Sequence, residues 1–139
     1  MTQKDIQYIK GESFSDDRGS LFFNNSLDFS EIKKVYIIEN ANTSVVRAWQ
    51  GHAIEQRWFI ASRGSFEIKV VKIDNWTDPS DNLPIESFKL ESSDFSILKV
   101  PPGFATSIQA LEEQSKLLVM ADYAAGQVDD NYKFDKNKW

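Results

Sequence analysis

The chain has 139 residues, of which 41% are hydrophobic and 13% aromatic, and a formal net charge of -5 with a pI near 4.9. That length fits one domain with a core of its own, and the composition is globular and not disordered. The acidic balance argues against a nucleic-acid binder, which carries a basic face, while a few local arginines still suffice to hold a small anion on an acidic protein.

No cysteine is present, so disulfides are excluded and a cytoplasmic setting is compatible. The N-terminus, Met1 to Lys10, lacks the apolar core of a secretory signal. No stretch approaches the length of a membrane-spanning helix. A soluble cytoplasmic protein is expected.

In chain order, Asp16 and Asp17 are turn formers ahead of Gly19. Strand-length runs rich in β-branched and aromatic residues then follow at Lys34–Ile38, Ser44–Trp49, Arg57–Ala61 and Ser65–Ile73, the last two joined by a Ser62-Arg63-Gly64 turn. Further runs are Ile85–Leu90, Ser96–Val100, Ala105–Leu111 and Lys116–Met120. From Phe66 to Lys72 the alternation is legible, with Phe66, Ile68 and Val70 on one face and Glu67 and Lys69 on the other. Nothing sustains a period of 3.6. Eight short strands separated by turn signals predict an all-β sandwich or barrel. The stretch from Asn75 to Pro84 reads as a loop, not a boundary, so one domain is expected over 1–139. The polar tail carries Tyr132, Phe134 and Trp139, which predicts partial docking onto the barrel.

The chemistry concentrates in Arg47-Ala-Trp-Gln50-Gly-His52-Ala-Ile-Glu55-Gln-Arg57. His52 is the single histidine of the chain. Its ordinary pKa suits acid–base work near neutrality, and its neighbours Arg47, Gln50 and Arg57 suit an anionic, hydrogen-bonding ligand. A metal site built on two or more His or Cys ligands is excluded within one chain. The alternative for His52 is a half-buried strand histidine with hydrogen-bond duties alone. Arg57 has Glu55 and Glu67 as possible ion-pair partners, Tyr36 suits a core or strand-surface position as well as a functional one, and Trp49, Trp58 and Phe59 suit the core.

A central Gln-Gly-His in such a chain invites comparison with the metal-binding cupins. Their His-x-His becomes Gln50-Gly-His52 here, and Thr106 falls where a later histidine would follow Pro102-Gly103. With His52 and Glu55 alone, no metal and no other cofactor is expected. The pattern resembles the metal-free branch of that fold, the nucleotide-sugar epimerases and ketoisomerases. It is similar to the dTDP-4-dehydrorhamnose 3,5-epimerases. It is more similar to the dTDP-4-keto-6-deoxyglucose 3,4-ketoisomerases and the WxcM-like sugar epimerases. The resemblance runs from about residue 10 to the C-terminus, on pieces in matching order. These are Asp17-Arg18-Gly19, Lys34-Val-Tyr36, Arg47 to Ala53, Gln56 to Ser65, Val100-Pro-Pro-Gly-Phe-Ala105 and Asp122-Tyr123.

The resemblance implies a cupin-type double-stranded β-helix, or jelly roll. It implies a homodimer that exchanges N-terminal strands, and a dTDP-linked sugar substrate in deoxysugar synthesis for surface polysaccharide. It makes His52 the base and Tyr36 the acid or hydrogen-bond partner, with Gln50 orienting the sugar. Arg18, Arg47 and Arg57 become the diphosphate and sugar contacts, Arg18 from the neighbouring subunit. This sequence departs from the family pattern at Gln50, which stands where those proteins carry a histidine, at Ala48 and Ala53, and at Leu118, near the place of the epimerases' tyrosine. The departures bear most on the 3,5-epimerase reading. They leave a second reading, a sugar-nucleotide-binding cupin without catalysis.

Overall fold

Short runs that are apolar on alternate positions must bury one face against a neighbouring layer, and the chain does this with two opposed sheets. The computed structural model describes residues 5–139. In chain order the strands are β1 (Gln7–Ile9), β2 (Glu12–Asp16), β3 (Gly19–Phe23), β4 (Lys34–Ile38), β5 (Val46–His52) and β6 (Arg57–Arg63). They continue with β7 (Ser65–Lys72), β8 (Ile85–Glu91), β9 (Ile97–Val100), β10 (Phe104–Ala110), β11 (Lys116–Ala121) and β12 (Tyr132–Lys133). One sheet has the order β1-β9-β6-β11-β4 and the other β12-β5-β10-β7-β8, while β2 and β3 form a separate hairpin. Every pairing is antiparallel. This is the expected all-β jelly roll. Among the described residues no helix is long and apolar enough to cross a membrane.

The interior lies between the two sheets. Phe59, Ala61, Leu98, Leu117 and Val119 of the first sheet meet Phe66, Ile68, Val70, Leu90 and Ile108 of the second, all buried. Burying each large side chain is worth about 1.5–3 kcal/mol, so this layer fixes the register of both sheets. Each sheet also has a covered outer face. Trp58, Ile60, Met120 and Ile97 pack beneath Ile9, Leu27 and Ile32. On the other side Trp49, Val71, Ile73 and Ala105 pack beneath Trp76, Leu83, Phe134 and Trp139. The tail is therefore docked, as its aromatics predict, and it adds a strand.

All eight expected runs are strands; Lys34–Ile38 matches β4 at both ends and the other seven differ by one to three residues at one end or both. The largest shift is in β5, which starts at Val46 and reaches His52. That strand is not regular. Thr106 and Ile108, two apart on β10, pair with Gln50 and Arg47, three apart on β5. The extra residue is a β-bulge, a device that re-aims side chains beside functional sites. Strict alternation sets Arg47 against Gln50 and His52. The bulge brings all three to the same side.

Candidate active site

One end of the space between the sheets stays open as a cleft of about 780 Å³, lined by Tyr36, Arg47, Gln50, His52, Arg57 and Thr106 among others. The phase of each strand explains the lining. On β4, Lys34, Tyr36 and Ile38 share the inward phase, and Val35 and Ile37 are exposed on the other face. On β6, Arg57 shares its phase with Phe59 and Ala61. Ala121 on β11 pairs with both Lys34 and Arg57, and its small side chain lets both cations reach across the strand.

They reach for Glu55, in the link between β5 and β6. The Glu55 carboxylate, 5% exposed, accepts from Arg57 Nη2 at 2.7 Å and Lys34 Nζ at 3.2 Å. Burial pushes this carboxyl up, but Arg57 and Lys34 together outweigh burial and hold it below its ordinary value. Arg57 also donates from Nη1 to the phenol oxygen of Tyr36. That bond occupies a lone pair on the oxygen and leaves the phenol proton free for the cleft. Burial, the largest influence, raises the Tyr36 pKa above 10.0 against the opposing charge of Arg57. The Tyr36 phenol is neutral at physiological pH.

His52 is fixed from the other side. Its Nδ1 lies 2.9 Å from the backbone oxygen of Asp130. A carbonyl accepts and never donates, so Nδ1 carries the proton and Nε2 holds the free lone pair. Among the described residues no group hydrogen-bonds Nε2. Burial, the largest influence, lowers the His52 pKa below 6.5, and the Arg57 charge adds to it. The Asp130 carbonyl and the carboxylates of Glu55 and Asp130 oppose this without reversing it. His52 is thus a neutral imidazole of one tautomer, in the form a general base requires.

Asp130 does a second job with its side chain. Its carboxylate accepts the backbone N–H groups of Ala53 at 2.8 Å, of Ile54 at 3.0 and 3.1 Å, and of Glu55 at 2.7 Å. The loop that carries Glu55 is clamped to the residue that orients His52. Asp130 lies 78 residues from His52 along the chain, and nothing local in the sequence marks it as a partner. His52, Glu55 and Asp130 also bring one donor atom each within 4.8 Å of one another. In this structure each of those donor atoms is already engaged. The Asp130 oxygens are taken by three N–H groups, those of Glu55 by two cations, and Nδ1 by a carbonyl.

Of the six residues singled out in the sequence, Tyr36, Arg47, Gln50, His52 and Arg57 line one cleft. Arg57 is engaged with Glu55 and Tyr36, so both ion pairing and a place at the site hold for it. Arg47 donates from Nε to Asn40 Oδ1 at 2.8 Å, and Gln50 donates to Asn131 Oδ1 at 2.9 Å. Arg18 is not among them. It sits at the β2–β3 turn, highly exposed and paired with Asp16 at 2.7 Å. Asp16 also accepts the Arg18 backbone N–H at 2.9 Å, the turn-shaping role expected of it. Leu118 packs on the outer face of the first sheet, against the cluster of Trp58 and Ile60, and the inward neighbour is Val119, paired with Tyr36.

The sequence matches the family model FdtA, described as WxcM-like, C-terminal, over residues 4–138, and the chain belongs to that family. No curated protein matches it. Among solved structures it is similar to a mutant of the 3,4-ketoisomerase QdtA from Thermoanaerobacterium thermosaccharolyticum in complex with TDP-4-keto-6-deoxyglucose. The TM-score is 0.70 at 21% identity, covering 94% of this chain and 88% of that one. It is also similar to a 3,4-ketoisomerase from Helicobacter canadensis, with TM-score 0.66, 21% identity and 90% of each chain covered. A third is dTDP-4-dehydrorhamnose 3,5-epimerase from Bacillus anthracis with TDP and PPi bound, with TM-score 0.70, 18% identity, and 88% and 76% of the two chains covered. At these identities the likeness establishes the fold.

Two outcomes follow from this geometry. Asp130→Ala keeps the backbone carbonyl that His52 donates to but leaves three buried loop N–H groups without their acceptor, and unfolding in denaturant should show a loss of about 2–4 kcal/mol. A loss under about 0.5 kcal/mol contradicts the clamp. The second concerns pH. The folded state binds the His52 proton more weakly than the unfolded chain, whose pKa is near 6.5. Stability from this group is therefore complete above 6.5 and is lost as pH falls below it. A base of this kind stays deprotonated through pH 6.5, so the acid limb of kcat/KM should lie below that value. A limb at or above 6.5 would rule out a depressed His52.

Proposed function

We propose that the protein is an enzyme, a metal-independent isomerase or epimerase acting on a nucleotide-activated 4-keto-6-deoxy sugar, and that its reaction is 3,4-ketoisomerisation. The observation that carries the reading is the pairing of opposite roles in one cleft. His52 is held neutral with Nε2 free, and Tyr36 is held protonated with its oxygen tied to Arg57. Proton transfer next to a carbonyl needs a base and a donor of this kind. Membership of the FdtA family and likeness to QdtA and to the epimerases support it. The presence of a complete base–donor pair favours catalysis over a binding-only cupin.

The steps balance on these two groups. His52 Nε2 takes the proton from carbon 3, and the electron pair moves onto the carbonyl oxygen at carbon 4. Tyr36 gives that oxygen its proton, which forms the enediol. In the second half the oxygen at carbon 3 returns a proton to Tyr36, and His52 delivers its proton to carbon 4. The carbonyl has moved and both side chains are restored. Gln50 cannot take a proton and serves as a hydrogen-bond partner of the sugar. The fold places it on the His52 side of the bulge. Arg57 acts through Tyr36 and Glu55 and is a positioning residue.

The active form in this reading is a cytoplasmic homodimer. The β2–β3 hairpin exposes Phe14 at 57% and Leu21 at 60%, which is costly for a lone chain in water. A second copy covers these residues and brings its Arg18 to the cleft, where it contacts the substrate together with Arg47.

Incubation with dTDP-4-keto-6-deoxyglucose in heavy water, followed by NMR, tests the reaction. Deuterium should enter with migration of the carbonyl to carbon 3, and His52→Asn should lower the rate by roughly 100- to 10,000-fold. Tyr36→Phe should slow it as well, with folding intact. Exchange at carbons 3 and 5 without migration would make it a 3,5-epimerase, and binding without exchange would sink the enzyme reading for this substrate. The trans role of Arg18 has its own test. Arg18→Ala and His52→Asn should each be inactive alone, and mixed after exchange of subunits they should recover activity. A mixture as inactive as its parts would place Arg18 outside the site.

A further inference from the structure

Lys133 is the cationic residue of the cleft that the sequence does not flag. It is the second residue of β12, and its register partner is Gln50. Residues directly opposed in an antiparallel pair share a face, so Lys133 stands beside Gln50 and lines the cleft with Arg47 and His52. Its place is fixed from both sides. Asp130, three residues earlier, is buried in the His52 clamp. Phe134, one residue later, exchanges two backbone hydrogen bonds with Trp49, at 3.0 and 3.2 Å. The Phe134 ring lies 5.5 Å from that of Trp139 and 6.2 Å from that of Trp76, and Trp139 Nε1 donates to Ser80 O at 2.8 Å. Gly51 admits this packing, because a Cβ there would lie 2.7 Å from the Trp76 ring and 3.1 Å from that of Phe134.

The cations of the cleft fall into two groups. Lys34 and Arg57 are both paired with Glu55. Arg47 bonds only the neutral amide of Asn40, and among the described residues neither Arg47 nor Lys133 has a carboxylate within 4.0 Å. Glu39 shares the cleft lining without pairing to either. On a chain of net charge -5, two uncompensated cations on the β5–β12 edge of one cleft mark a place for an anion.

We propose that Lys133, with Arg47, binds the diphosphate of the nucleotide sugar, so that the C-terminal strand supplies a substrate contact within the same chain. The inference rests on the nucleotide-sugar reading above. A diphosphate offers several anionic oxygens, which a lysine meets as a point charge and an arginine as a planar fork.

Calorimetric titration at fixed ionic strength tests it, with inorganic pyrophosphate, TDP and thymidine as probes. Lys133→Ala should weaken pyrophosphate and TDP roughly tenfold or more, as expected for a charged hydrogen bond, and leave thymidine unchanged. Lys136→Ala removes an exposed tail cation that does not line the cleft, and it should bind all three as the wild type does. Lys133→Arg should restore most of the affinity for the two diphosphates. Unchanged pyrophosphate affinity in Lys133→Ala, or equal losses in Lys133→Ala and Lys136→Ala, would overturn the assignment. Wild type that binds pyrophosphate through Lys133 but no nucleoside diphosphate would keep the anion site and remove the nucleotide-sugar reading. Wild type that binds neither would remove both.

Discussion

A buried, neutral histidine of fixed tautomer is the constraint on which the site depends. Burial alone would make an imidazole neutral and leave open which nitrogen holds the proton. The Asp130 carbonyl decides that question at 2.9 Å. The same residue's carboxylate holds the loop that carries Glu55, and Glu55 holds Arg57, which in turn holds Tyr36. His52 and Tyr36 are thus two ends of one hydrogen-bonded chain. In a low-dielectric surrounding each such bond is stronger and each broken one more costly. The cluster has a reason to be complete: Glu55 and Asp130 carry two negative charges and Lys34 and Arg57 two positive ones, so His52 need not be charged for the group to balance.

Strand phase puts the cluster together. An inward-facing row of Lys34, Ala121 and Arg57 across three strands is a core row in which two large residues are replaced by cations and the middle one is reduced to alanine. The next inward-phase row is Tyr36, Val119 and Phe59, of which Val119 and Phe59 are buried. The change from apolar to charged happens over one pleat. Hydrophobic packing below thus sets the positions of the polar groups above, which explains why chemistry sits at one end of the interior.

Much of the fold was legible because burial on alternate positions leaves a trace in the sequence. Phe66, Ile68 and Val70 share one face by alternation, and that face is fully or almost fully buried. The histidine, the tyrosine and the arginines of the Gln-Gly-His run were legible as chemistry. Three things were not. The bulge in β5 has no glycine or proline at its extra position, so period-two reading sets Arg47 on the wrong side. The β2–β3 hairpin carries its apolar side chains exposed, so the burial signal that marks other strands is missing there. Arg18 accordingly falls outside the cleft of its own chain. Asp130 acts through a backbone carbonyl and an Asx-like clamp at a distance of 78 residues, and a backbone carbonyl leaves no mark on residue type.

The tail shows how such hidden contributions arise. Its aromatic residues predict docking, and they dock: Trp139 lies 5.5 Å from Trp49, and Tyr132 lies 4.7 Å from Trp76. Docking by the outward residues determines what the inward ones do. Because β12 pairs with β5, a polar residue between Tyr132 and Phe134 must point toward the cleft. A lysine there is solvated decoration on a free tail and a wall of the site on a docked one. The aromatic cluster on the outer face of the second sheet is therefore coupled to the charge of the cleft on its inner face, through a strand of two residues.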